Sequence, residues 1–204
     1  MYELFLIFFY SYLSGSIPFG FLLTKFFYKK DIRKLGSSNI GATNVLRTGS
    51  KFLAILTLIL DITKGFLPVY ISSIFFPEYI NLSALICFLG HIFPIWLKFK
   101  GGKGVATYLG ILIALSIPLS ILFIFTWVVV ALIFKYSSVS SMFSSLTVLI
   151  ITIFRENIVK AFDENFTYNN DIKFLLFIFF IIIIFTHKKN ISNLKNKIEP
   201  KIKI

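Results

Sequence analysis

The sequence predicts an all-α integral membrane protein with seven transmembrane helices, its N-terminus outside and its C-terminus in the cytoplasm. Three observations carry that prediction. The chain is 57% hydrophobic with 26 Phe, only 15% charged, and has a mean hydropathy of +0.85. One soluble core of 204 residues cannot hide so much apolar surface. The apolar residues fall in long runs divided by short polar intervals, and the charge of those intervals alternates along the chain.

Seven runs read as spans, at residues 4–24, 52–76, 82–97, 105–117, 119–134, 142–154 and 172–186. The first has Glu3 before it and Lys25, Lys29 and Lys30 after it. That is the reverse of a cleavable signal, so a retained helix is expected. The second is long enough to cross with tilt. The fourth, sixth and seventh are shorter than the roughly twenty residues a bilayer core asks for. Only Ser116–Pro118 and Ser120 separate the fourth from the fifth, and one long Pro-kinked helix is the rival reading.

Charge decides between the two. With seven spans, the cytoplasmic side receives loop 25–51 at +6, turn 98–103 at +3, Lys135, and tail 187–204 at +5. The outer side carries −3, mostly from Glu3, Glu78 and the acidic connector 155–171. Merging spans four and five would export the basic tail, against the positive-inside rule. The net charge of +12 is therefore a matter of topology and anionic headgroups, and no nucleic-acid partner is implied. Cys87 is the only cysteine. It excludes an intramolecular disulfide and reads as packing.

This topology brings every polar motif to the cytoplasmic face. Loop 29–51, KKDIRKLGSSNIGATNVLRTGSK, is the longest polar interval. Ser37, Ser38, Asn39, Thr43 and Asn44 supply donors, while Gly36, Gly41 and Gly49 let backbone approach a ligand closely. Arg47 and Lys51 add fixed charge. Such a run suits an anion, and Arg a phosphate in particular. A solvated basic loop would explain residues 29–34 but not the Ser/Gly/Asn run.

The turn KFKGGKGVAT, residues 98–107, sets Gly101, Gly102 and Gly104 around Lys103 and then opens a helix. Amides at a helix N-terminus beside a lysine favour phosphate, although a tight basic turn is the plainer alternative. It is not a Walker loop, because Gly104 follows Lys103. Asp61 and Lys64 lie inside the second span, one helical turn apart. Charges at that depth must pair or line a polar cavity, so either an intrahelical ion pair or a substrate contact is expected. His91 and His187 are the only histidines, and Asn190 lies three residues beyond His187 on one expected helical face. With so few ligating side chains, neither a metal site nor a cofactor is expected.

Five strings carry a family resemblance: SGSIPFG (14–20), GSSNIGATNVLRTG (36–49), LDITKGFLPV (60–69), GHIFPIWLKFKGGKGVAT (90–107) and HKKNISNLKNKIEPKI (187–202). Together they resemble the bacterial acyl-phosphate:glycerol-3-phosphate acyltransferase family, the PlsY type, nearly collinearly over the whole chain. The resemblance implies one transmembrane acyltransferase domain over residues 1–204, in the bacterial inner membrane, with its active site facing the cytoplasm. The implied reaction moves a fatty acyl group from acyl phosphate to glycerol 3-phosphate, giving lysophosphatidic acid and phosphate, the first acylation of phospholipid synthesis. Implied partners are the two substrates, membrane lipid and the enzyme that forms acyl phosphate.

By position, Ser37 and Arg47 match the essential serine and arginine of the first motif. Lys103 matches the cation of the acyl-phosphate motif. His187 and Asn190 match the polar pair of the third motif, and Glu199 its structural acid. Ser138 matches the serine after the fifth span, in a register that Ser137, Ser140 and Ser141 leave open. The chain departs from the family at Ser38 and Ile198, where glycine is usual. The resemblance assigns the phosphate of acyl phosphate to Ser37, nearby amides, Lys103 and Ser138. It assigns glycerol 3-phosphate to Arg47, His187 and Asn190.

Other classes fit the residues less well. A transporter of phosphate esters should carry internal repeats and paired midplane charges, and only Asp61 and Lys64 answer that description. A scaffold has no use for Ser37, Arg47 or the GGKG turn. A thioester-using acyltransferase should show a His and an Asp with four residues between them, yet five positions after His91 and His187 stand Trp96 and Ser192.

Overall fold

The computed structural model describes residues 2–160 and 170–202. Of the expected outer connector 155–171, residues 161–169 lie outside the described residues. Every regular element described is helical, and the chain divides into two compact units, Met1–Ser116 and Ile117–Ile204.

The first unit begins with α1 (Tyr2–Ser16) and α2 (Phe19–Tyr28). Where the sequence reading expects one span over 4–24, the helix stops at Ser16. Pro18 has no N–H to continue the ladder and biases Ile17 away from helical geometry. α3 (Ala42–Leu46) lies within the polar loop, followed by α4 (Lys51–Phe75), α5 (Ile80–Ile92) and α6 (Val105–Leu115). Ser50 caps α4 by accepting the Leu53 amide on its hydroxyl at 3.1 Å.

Small residues let these helices touch backbone to backbone. A methyl group on Gly15 would fall 2.0 Å from the Cys87 carbonyl, and one on Gly110 2.0 Å from that of Ile62. These contacts bind α1 to α5 and α4 to α6, the small-residue packing that membrane helices use. Pro68 sits inside α4 and leaves the Lys64 carbonyl without its helical donor. Ser14 Oγ donates to that carbonyl at 2.9 Å, and Cys87 Sγ at 3.3 Å. The one cysteine thus helps to close a backbone vacancy created by a proline.

The second unit holds α7 (Ile117–Phe134), α8 (Ser137–Lys160), α9 (Asn170–Thr186) and α10 (Lys188–Lys195). α6 ends at Ser116, whose backbone is extended, so the fourth and fifth apolar runs form separate helices. α8 begins at Ser137 rather than at residue 142, which places the serine cluster in its first turns.

Among the described residues, five stretches are long and apolar enough to cross a membrane: Tyr2–Tyr28, Lys51–Phe75, Pro77–Leu97, Ile117–Phe134 and Ser137–Phe154. α9 and α10 form a sixth if counted as one span bent by 53°. α6, with 11 residues, is only about 16 Å long at the α-helical rise. Large apolar side chains such as Phe26, Phe125, Ile133 and Phe174 point outward, as lipid-facing surface does. In water such a surface would be an aggregation patch.

Candidate active site

The polar loop after α2 is built on an apolar floor. Ile32, Ile40 and Val45 from the loop are buried with Leu53 and Ala54 of α4 and with Leu97, and Phe21, Leu23 and Leu35 pack against them. Leu97 leads into the GGKG turn, so loop and turn share one core. Gly20 permits the loop to cross α2, since a methyl there would meet the Ile40 carbonyl at 1.9 Å. Near the loop's start Asp31 caps a 3₁₀ turn, accepting the Arg33 amide at 3.0 Å and gripping its guanidinium with both oxygens. The Arg33 side-chain hydrogen bond holds the Asp31 carboxyl below its ordinary range, and Asp31 in turn raises Arg33.

Asn44 organises the middle of the loop. It is 1% exposed. Its Nδ2 donates to the carbonyls of Ile32 (3.2 Å), Leu35 (3.0 Å) and Asn39 (2.7 Å), and its Oδ1 accepts the Ser37 amide at 2.9 Å. A side chain on Gly36, at φ +52°, would strike Asn44 Oδ1 at 2.2 Å, which is why that position is glycine. Asn44 therefore holds the loop's own backbone, and the Ser37 amide is taken. Ser37, Asn39, Gly41 and Thr43 are half-buried. Ser38 is exposed at φ +61°, a conformation that suits the glycine usual there.

Arg47 caps the C-terminus of α3, with an exposed side chain. It lines a cleft of about 320 Å³ with Thr24, Tyr28, Lys30, Leu35, Gly36 and Thr48. Of these, Thr24, Tyr28, Lys30, Leu35 and Thr48 are absent from the sequence-derived candidates. Lys30 is treated there as topology.

The GGKG turn is folded against α5. The amides of Gly101 and Gly102 donate to the carbonyls of Ile92 (3.0 Å) and His91 (3.2 Å), so those two do not face a ligand. His91 is buried beneath the turn, with Nδ1 2.9 Å from Thr107 Oγ1 of α6. A methyl on Gly102 would hit His91 Nε2 at 2.2 Å, and Gly104, at φ +81°, abuts the Phe88 ring. Lys103 is half-buried two residues before α6. Asp61 and Lys64 are also withdrawn from the surface. Lys64 Nζ lies 2.8 Å from Asp61 Oδ1 and donates to the Ile17 carbonyl at 2.6 Å.

In the second unit Glu199 gathers the polar groups. Its Oε1 accepts Ser138 Oγ at 3.0 Å and Asn190 Nδ2 at 2.6 Å, and Oε2 accepts Asn193 Nδ2 at 3.2 Å. Of the serine cluster, Ser138 makes this contact, whereas Ser140 and Ser141 donate to backbone one turn back. Asn193 is missing from the sequence-derived candidates, although its spacing from Asn190 puts both on one face of α10. His187 stands at the bend between α9 and α10, 1% exposed, with Nδ1 2.8 Å from the Ile183 carbonyl. A carbonyl can only accept, so Nδ1 carries the proton and Nε2 is the basic nitrogen of the neutral ring.

Long apolar helices, close glycine crossings and polar groups gathered in loops and helix ends define a multi-pass helical membrane protein. The sequence model of the glycerol-3-phosphate acyltransferase family, described as "Glycerol-3-phosphate acyltransferase", matches residues 5–197. The chain is 55% identical over 194 residues to a glycerol-3-phosphate acyltransferase of Pelagibacter ubique, covering 95% of each chain. It is 45% identical to one of a Wolbachia of Brugia malayi, covering 94% of this chain and 95% of the relative. The crystal structure of PlsY (YgiH), an integral membrane glycerol 3-phosphate acyltransferase, in its glycerol 3-phosphate form superposes with a TM-score of 0.88 at 30% identity, over 98% of this chain and 95% of that one. Its lysophosphatidic acid form gives 0.84, over 97% and 94%. The chain belongs to the glycerol-3-phosphate acyltransferase family, and it is an integral membrane acyltransferase.

Proposed function

We propose that this enzyme transfers a fatty acyl group from acyl phosphate to glycerol 3-phosphate, releasing lysophosphatidic acid and inorganic phosphate. The reaction would be the first acylation of phospholipid synthesis in the bacterial inner membrane. The observation that carries the acceptor and product is the near-complete superposition on a relative solved in both its glycerol 3-phosphate and its lysophosphatidic acid forms. The donor rests on chemistry. An acyl phosphate is a mixed anhydride already activated toward a hydroxyl. The protein must orient that hydroxyl, hold two anions together and stabilise the departing phosphate. Cationic and hydroxyl side chains in loops suit that work.

The C1 hydroxyl of glycerol 3-phosphate attacks the acyl carbonyl carbon, the bond from that carbon to the phosphate oxygen breaks, and phosphate leaves. Ser37 and Lys103 are assigned to the phosphate of acyl phosphate, along with Ser138. Arg47 is assigned to the phosphate of glycerol 3-phosphate, where its fork matches the oxygens, with the loop groups Ser38, Asn39, Gly41 and Thr43 around it. His187 and Asn190 are assigned to the same acceptor. The hydroxyl proton passes to the phosphate of the donor itself, with His187 Nε2 the basic side-chain alternative. Asn44, His91 and the three turn glycines act by building the loop and the turn, and Asp61 and Lys64 by holding the helix break beneath the loop.

The reading takes residues 1–204 as one domain, supported by a family match that runs through both units. It takes α6 as a short fourth crossing and the bent α9–α10 as the seventh. The N-terminus then lies outside and the active site faces the cytoplasm, where the enzyme that forms acyl phosphate would deliver its product. Support comes from the basic residues of loop 25–51 and tail 187–204.

The deciding assay gives purified protein palmitoyl phosphate and labelled glycerol 3-phosphate, with acyl-CoA as control. Lysophosphatidic acid is expected from the acyl phosphate alone. Product formed only from acyl-CoA would overturn the donor, and no product from either would overturn the reaction.

A further inference from the structure

We propose that Lys64 is a positioning residue for this reaction. Its buried ammonium, bonded to the Ile17 carbonyl, fixes the break between α1 and α2 and, through α2, the seat of loop 37–47. Only the kinetic consequence rests on the acyltransferase reading.

The break is a structural liability, because a carbonyl released within a membrane helix must find another donor. Ile17 O receives the Phe19 amide at 3.1 Å and Lys64 Nζ at 2.6 Å. Lys64 is 3% exposed. Its ammonium also lies 2.8 Å from Asp61 Oδ1, but that oxygen accepts no aligned hydrogen bond among the described residues. The directed bond therefore goes to Ile17, and Asp61 supplies the counter-charge that lets an ammonium remain at this depth.

The backbone of Lys64 holds the same region. Its carbonyl, freed by Pro68, accepts Ser14 Oγ. One residue of α4 thus grips the end of α1 twice, by side chain and by main chain. Immediately beyond the break, α2 supplies part of the floor of the candidate site. Gly20 abuts the Ile40 carbonyl, and Phe21 and Leu23 pack on the cluster of Ile32, Ile40 and Val45. A change in the direction of α2 must move that floor, and a shift of about 1 Å in a group that orients substrate is costly to catalysis.

The rival account is that Lys64 and Asp61 only neutralise each other. Three variants in detergent separate the two: Lys64→Met, Asp61→Asn, and the charge-free pair D61N/K64M. The first readout is trypsin cleavage after Arg33, Lys34 and Arg47, which needs no activity. Lys64→Met and the double variant should be cut in the loop about tenfold faster than wild type, whereas Asp61→Asn should keep most of the wild-type protection, because a Lys64 amine that loses its proton along with its counter-charge still donates to the Ile17 carbonyl. The second is kinetic. The double variant should raise KM for glycerol 3-phosphate about tenfold, with a smaller fall in kcat.

A double variant with wild-type protection, or an Asp61→Asn protein as exposed as Lys64→Met, overturns the proposal. If the Lys64 variants do not fold, the protection of Asp61→Asn decides alone: retained protection supports the bond to Ile17, and lost protection overturns it. Wild-type protein that makes no lysophosphatidic acid would sink the acyltransferase reading and leave the proteolysis result standing.

Discussion

Asn44 Oδ1 accepts the backbone amide of Ser37 at 2.9 Å across a gap of seven residues. The side-chain amide of the same asparagine ties down three further carbonyls of the loop. The position of Ser37 is therefore set by a buried group that need not touch substrate. Asn44→Ala should cost about 2–4 kcal/mol, from the lost hydrogen bonds and the buried carbonyls left open. Asn44→Asp should be no better, since a carboxylate cannot donate to those carbonyls. Thermal unfolding in detergent checks both, and a wild-type midpoint for either would remove Asn44 as the centre of the loop.

Arg47 is exposed in its cleft, so its removal should spare the fold. Arg47→Ala should lower kcat/KM by at least about 100-fold with an unchanged unfolding midpoint, and Arg47→Lys should recover only part, because the ammonium lacks the fork. Steady-state kinetics with varied glycerol 3-phosphate measures this. Unaltered turnover in Arg47→Ala would take the residue out of the site.

Glu199 accepts from three donors drawn from α8 and α10. Glu199→Ala should destabilise the second unit by about 2–3 kcal/mol and speed trypsin cleavage at Lys195 and Lys197. Glu199→Gln keeps one acceptor oxygen for Ser138 and Asn190 and sets its amide against that of Asn193, so an intermediate effect is expected. Equal behaviour of the two variants in a melting series would mean that the negative charge matters more than the acceptor geometry.

Ser192 is exposed on α10, and the one native cysteine is buried. A cysteine introduced by Ser192→Cys is therefore a clean topology probe. It should resist an impermeant thiol reagent in intact cells and react once the membrane is opened. Labelling from outside would refute a cytoplasmic tail.

Much of the molecule is readable from residues alone, for identifiable reasons. Membrane class comes from apolar content, and the helix start at Val105 from three glycines meeting an apolar run. The separation of α6 from α7 is legible because the basic tail has to end on one side. The break at Ser16 escapes the sequence reading, although its signal is present as Pro18 within an apolar run. The start of α8 escapes it because four serines look like a loop until their hydroxyls are seen bonding one turn back. The settings of Asn44, His91 and Lys64 lie beyond sequence reasoning, because each depends on a partner brought close only by the packed fold, 47 residues away in the case of Ile17.

Pro18 breaks the helix at the end of α1 and Pro68 frees a carbonyl inside α4, and both repairs meet at Lys64: its ammonium serves Ile17, and its freed carbonyl is served by Ser14 and Cys87. That arrangement has a bearing on synthesis. Ile17 is made 47 residues before Lys64, and Ser14 is made before the carbonyl it will serve. The newborn N-terminal helix pair must wait, with its bend unsealed, until α4 arrives. An earlier segment is thus completed by a later one, and the order in which the ribosome delivers the chain differs from the order in which its structure closes.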